Sequence, residues 1–77
     1  MVDYKQYITI EAGKRNGQPC IRGLRITVGD ILGYLASGMS TEEILEDFPK
    51  LKQADVLAAL AYAAADQNKR AILETAA

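Results

Sequence analysis

The stretch that decides the fold is Gly17–Ser40, GQPCIRGLRITVGDILGYLASGMS. It opens with Pro19-Cys20-Ile21, a short apolar segment between Gly17 and Gly23 that can pair as a strand. Arg25-Ile26 resumes extended pairing after Gly23 breaks it. Thr27 is a good N-cap, and the Asp30 carboxylate lies where the positive end of a helix favours it. Val28, Ile31, Leu32 and Leu35 then recur at i, i+3, i+4 and i+7, the stripe of an amphipathic helix. Gly38 ends that helix as its C′ residue. The predicted helix covers 28–37.

Upstream, Tyr7-Ile8-Thr9-Ile10-Glu11 is rich in β-branched and aromatic residues and reads as a strand. Gly13, Asn16 and Gly17 punctuate the turn region that follows. A β-hairpin is therefore expected over about 7–26. Downstream, Ser40-Thr41-Glu42-Glu43 is a capping box, and Pro49 stops the second helix, expected over 40–48 with Ile44, Leu45 and Phe48 inward. A third helix is expected over 53–67, with Val56, Leu57, Leu60 and Ala64 as its inward stripe. Its many alanines keep it slim. Asn68-Lys69-Arg70 either closes this helix or lies within an extension, and 68–77 is assigned as a tail. The expected fold is mainly α: a three-helix, helix-turn-helix-like core of the winged-helix or homeodomain kind, with a short N-terminal β-hairpin.

A chain of 77 residues is one domain, and at this length its core is small: only about 60% of the unfolded surface is buried. Oligomerisation relieves that shortage, and a homodimer is expected. Gly29 and Gly33, one turn apart in the first helix, suggest a close backbone approach: either packing within the monomer or, with the slim third helix, a dimer seam. Nearly half the residues are apolar, yet no run approaches the ~20 residues of a membrane span. No signal-peptide pattern opens the chain, and its single cysteine cannot form an internal disulfide, so a cytoplasmic location is expected.

Histidine is absent. That removes the serine and cysteine triads built on it, the commonest general base and the His-containing zinc sites. One cysteine cannot build a thiolate metal site, and no carboxylate pair sits in an active-site context. No enzyme activity, cofactor or small-molecule substrate is expected. Cys20 reads as a small buried hydrophobe rather than a nucleophile.

The net charge of −1 conceals a segregation. Residues 1–27 carry five basic groups against Asp3 and Glu11, for +3; residues 28–51 carry five acids against Lys50, for −4; residues 52–77 balance. Lys14, Arg15, Arg22 and Arg25 are candidate phosphate contacts, with Lys14 and Arg15 the better placed in a loop and Arg25 expected to pair with Asp30 or with carboxylates of the second helix. If the third helix read DNA, Gln53 would face base edges while Lys50 and Lys52 touched backbone. The first turns of that helix hold no arginine, and the sequence pI is about 5.2, so DNA binding by the chain alone is expected to be weak. Glu42, Glu43, Glu46 and Asp47 on the second helix are candidate contacts to a basic partner. Ile72 and Leu73 are candidate anchors in a partner groove, with a role in capping the domain's own core as the alternative.

The run Gly17-Gln18-Pro19-Cys20-Ile21-Arg22-Gly23-Leu24-Arg25-Ile26-Thr27-Val28 resembles the Gly-Lys-Pro-x-Ile-x-Gly-Thr-Arg-Ile-x-Val hallmark of the bacterial "domain of unknown function 433" family. Gly38-Met39-Ser40-Thr41-Glu42-Glu43-Ile44, "LEDFPKL" at 45–51 and "ALAYAA" at 59–64 are similar to that family too, so the likeness runs in order over about 7–66. Leu24 and Gln18 stand where the family has threonine and lysine. Leu51-Lys52-Gln53-Ala54-Asp55-Val56 stands where it has Leu-Thr-Pro-Glu-Asp-Ile, so a threonine cap and a proline are lost. The resemblance implies a helix-turn-helix-like domain. It also implies an antitoxin in the manner of VapB-type proteins, paired with a PIN-like toxin nuclease from the adjacent gene and able to autoregulate by binding DNA. Two other readings stand beside it: a stand-alone helix-turn-helix regulator, and an interaction module with no toxin.

Overall fold

Arg22 and Gly23 form the tight turn from which the N-terminal architecture follows. In the computed structural model, which describes residues 3–76 and their side chains through residue 69, both have positive φ, +46° and +73°. The Leu24 amide donates to the Ile21 carbonyl across them at 2.7 Å. A type I′ turn requires this pair of left-handed residues. Glycine adopts the conformation freely, whereas an arginine does so at a cost of about 1 kcal/mol.

β2 (Cys20–Ile21) is paired on both sides. β1 (Ile8–Thr9) lies antiparallel to it, with Ile8 opposite Ile21 and Thr9 opposite Cys20. Beyond the turn, Cys20 stands opposite Thr27, and Ile21 N–H donates to the Ile26 carbonyl at 2.9 Å. Pro19 has no N–H to offer but its carbonyl accepts from Val28 at 2.9 Å, so proline is tolerated at this end of the ladder. The expected hairpin is present. A 3₁₀ turn at Tyr4–Gln6, not foreseen, precedes it and sets Tyr4 edge-on against Tyr62 at 5.6 Å.

Three helices follow: α1 (Val28–Ala36), α2 (Thr41–Asp47) and α3 (Gln53–Ala76). Thr27 and Asp30 form a reciprocal capping box on α1, and Ser40 and Glu43 form one on α2. α1 ends in a Schellman motif: Met39 N–H reaches the Tyr34 carbonyl at 3.1 Å and Gly38 N–H the Leu35 carbonyl at 3.1 Å, with Gly38 at φ +101°. Phe48 closes α2 before Pro49 and stacks on Tyr34, centroids 5.1 Å apart.

The core is Ile21, Val28, Ile31, Ile44, Leu51, Val56 and Ala59, so hairpin and all three helices contribute. Among the described residues no helix is long and apolar enough to cross a membrane.

Two expectations about α3 are corrected. The helix does not stop at 67 but runs to Ala76, so residues 68–76 of the segment assigned as a tail are helical. Nothing between Asp66 and Thr75 is a glycine or proline, and Lys, Arg, Ala, Leu and Glu there all favour helix. The inward stripe also differs. Val56 and Ala59 are buried, but Leu57 and Leu60 are 44% and 43% exposed and Ala64 is exposed as well. The helix is rotated so that Asp55, not Leu57, faces the interior.

Candidate functional site

The rotation of α3 has an electrostatic cause. The Arg22 guanidinium leaves the hairpin turn and meets Asp55 with two parallel bonds, Nε to Oδ1 and Nη2 to Oδ2, both 2.9 Å. Asp55 is 0% exposed. Its Oδ2 also accepts the Lys52 amide at 2.8 Å, while Arg22 Nη2 donates to the Lys50 carbonyl at 2.7 Å. A buried carboxylate needs every one of these donors, and together they hold α3 with Asp55 turned inward. By accepting the Lys52 amide, the same carboxylate makes the half of a capping box that needs no capping side chain at Lys52.

Arg15 repeats the device on α1. Arg15, Asn16 and Gly17 wind left-handed, at φ +48°, +59° and +76°. The arginine reaches Asp30 through Nη1 at 2.8 Å and Nη2 at 3.4 Å, and its Nη1 also donates to the Arg25 carbonyl at 2.6 Å. Each clamp joins one hairpin arginine, the aspartate in the first turn of a helix and a backbone carbonyl. Burial pushes both Asp30 and Asp55 carboxyls up. Their hydrogen bonds from arginine and from the Thr27 and Lys52 amides, reinforced by the arginine charges, outweigh that and hold both below the ordinary carboxylate range. Hydrogen bonds to these aspartates raise the Arg15 and Arg22 guanidinium pKa values in turn.

The candidate phosphate contacts are thus divided. Lys14 donates to the Gly23 carbonyl and pairs with Glu11 at 3.2 Å. With Arg15 and Arg22 it is committed to holding the hairpin. Arg25, expected to pair with Asp30 or an α2 carboxylate, does neither: its exposed side chain makes no hydrogen bond or ion pair among the described residues, because Arg15 has taken Asp30. Lys50, Lys52 and Gln53 are exposed.

On α2, Glu42, Glu46 and Asp47 are exposed and unpaired among the described residues, and Glu43 is exposed but serves the cap. The Ser40 amide and hydroxyl bonds hold the Glu43 carboxyl below its ordinary pKa. The side chains of Ile72 and Leu73 lie outside the described residues. Cys20 is 1% exposed, its thiol directed at the Gln18 carbonyl. Gly29 and Gly33 are exposed, and among the described residues no backbone outside their own helix packs against either, contrary to the intramolecular packing considered for them.

Sequence reasoning passed over Asp55. Its signal was a lone aspartate in an apolar first turn, three residues after a position with no capping side chain.

A family model described as "Protein of unknown function (DUF433)" matches residues 8–63, from β1 through the middle of α3. The chain belongs to this family. The DUF433 match spans both clamps and all three helix starts. A solved DUF433 member protein from Anabaena variabilis ATCC 29413 is 32% identical, with a TM-score of 0.73 over 95% of this chain and 74% of that one. No curated protein matches the chain.

Proposed function

We propose that this DUF433 protein is a protein-binding module, the antitoxin of a bacterial two-gene system, which neutralises a PIN-like nuclease by covering a basic surface of it. The observation that carries this reading is the fate of the charges. Lys14, Arg15 and Arg22 are spent inside the fold, while Glu42, Glu46 and Asp47 stand exposed and unpaired on α2. The charge left for a partner on this helix is acidic, which suits a basic protein and repels a phosphate backbone.

A helix-turn-helix regulator remains the second reading. It is favoured by the short connection from α2 to α3 and by the unpaired Arg25. It requires salt-dependent binding to an operator by the chain alone.

Co-expression with the product of the adjacent gene tests the first reading. Co-purification together with relief of that product's toxicity supports it. A chain that binds no neighbour but shifts its own promoter DNA transfers the assignment to the regulator.

A further inference from the structure

The outward face of α3 is apolar, uncovered and free of charge. At 100° per residue, Gln53, Leu57, Leu60, Ala61, Ala64 and Asn68 fall within an arc of about 100°. Leu57 and Leu60 are the most exposed large apolar side chains of any helix among the described residues, at 44% and 43%. Between residues 53 and 68 only Asp55 and Asp66 are charged. Both are turned away: Asp55 is buried under Arg22, and Asp66 lines a cleft with Tyr4, Tyr62 and Lys69.

The order of residues along this face is palindromic in chemistry. An antiparallel copy crossing with its two-fold axis between Leu60 and Ala61 sets Leu60 opposite Ala61, Leu57 opposite Ala64 and Gln53 opposite Asn68. Each leucine meets an alanine, so large fits small, and each terminal amide meets an amide. No charge is brought against a like charge or buried unpaired. A partner of strong charge finds nothing on this face to pair with. A second copy finds its own complement, and a 77-residue chain with a small core gains the burial it lacks.

We propose that the chain forms a two-fold homodimer through the Leu57–Leu60–Ala64 face of α3, packed antiparallel against the same face of a second copy. The dimer does not depend on the antitoxin reading, since it needs no other gene product. It covers the side of α3 that a recognition helix would lay in a DNA groove.

Light scattering on the full chain alone reads the mass. The expected result is twice the chain mass for the wild type, with Leu60→Glu weakening association by about tenfold or more while circular dichroism keeps its helical signal. A second variant guards against misfolding. Leu57→Cys combined with Ala64→Cys places thiols seven residues apart on one helix, about 10 Å, too far to bridge within a chain. Mild oxidation is expected to give a covalent dimer, and Cys20 is buried and does not compete. A monomeric wild type, a dimer indifferent to Leu60→Glu, or a cysteine variant that stays monomeric on oxidation would overturn the proposal. A wild type that is monomeric alone and buries this face only against the neighbouring gene's product would overturn it too, while leaving the antitoxin reading standing.

Discussion

Arg22 and Asp55, 33 residues apart in the chain, form a two-bond ion pair that fixes the rotation of α3 on the core. The carboxylate is fully buried and the guanidinium partly exposed, 36% for its side chain. Removing Asp55 leaves Arg22, the Lys52 amide and the first turn of α3 short of an acceptor. Asp55→Asn is expected to destabilise by roughly 2–3 kcal/mol, a fall in Tm of about 10 °C or more in thermal unfolding.

The backbone at position 22 separates strain from pairing. Arg22→Ala loses the pair and keeps the left-handed φ. Arg22→Gly loses the pair and relieves the strain. Denaturant unfolding is therefore expected to place Arg22→Gly about 1 kcal/mol above Arg22→Ala, with both below the wild type. Equal stabilities would mean that the turn adopts another conformation.

The two aspartates also set an acid limit. Both are held below the ordinary carboxylate range in the folded state. Above about pH 5 the unfolded carboxyls are ionised as well, and the full contribution of the clamps is present. As pH falls below that, the unfolded chain takes up protons first, and stability drops until the folded aspartates are protonated too. Stability against pH in this acid window is expected to be flatter for Asp55→Asn than for the wild type. Parallel curves would show that Asp55 is not the group being titrated.

Helix caps and the free surface respond differently. Ser40→Ala removes the hydroxyl that accepts the Glu43 amide and is expected to cost about 1 kcal/mol. Glu42 on the same helix is exposed with no ion pair or side-chain hydrogen bond among the described residues, and Glu42→Gln is expected to stay within about 0.5 kcal/mol in the same unfolding assay.

Much of this was readable from local signals. Thr27 with Asp30, Ser40 with Glu43, Gly38 and Pro49 act within three or four residues, so the starts and ends of the first two helices followed from spacing alone. The clamps span 15 and 33 residues, and no local pattern says which arginine meets which aspartate. Arg25 was nearer to Asp30 in sequence, yet the left-handed turn at Arg15–Gly17 delivers Arg15 instead. The rotation of α3 was misread for the same reason: counting apolar residues favoured Leu57 and Leu60, while the single buried aspartate outweighed them. The free acidic row on α2 was visible in the sequence, but only the clamps separate it from charges already in use.

The most direct test of the account is titration calorimetry of the chain against the adjacent gene's product, comparing wild type with the triple variant Glu42→Gln, Glu46→Gln, Asp47→Asn. Glu43 is left in place to keep the α2 cap. The account predicts an unchanged Tm for the triple variant and an affinity reduced by about tenfold or more, with a weaker salt dependence. Equal affinity and equal salt dependence for the two proteins would contradict an acidic α2 docking surface.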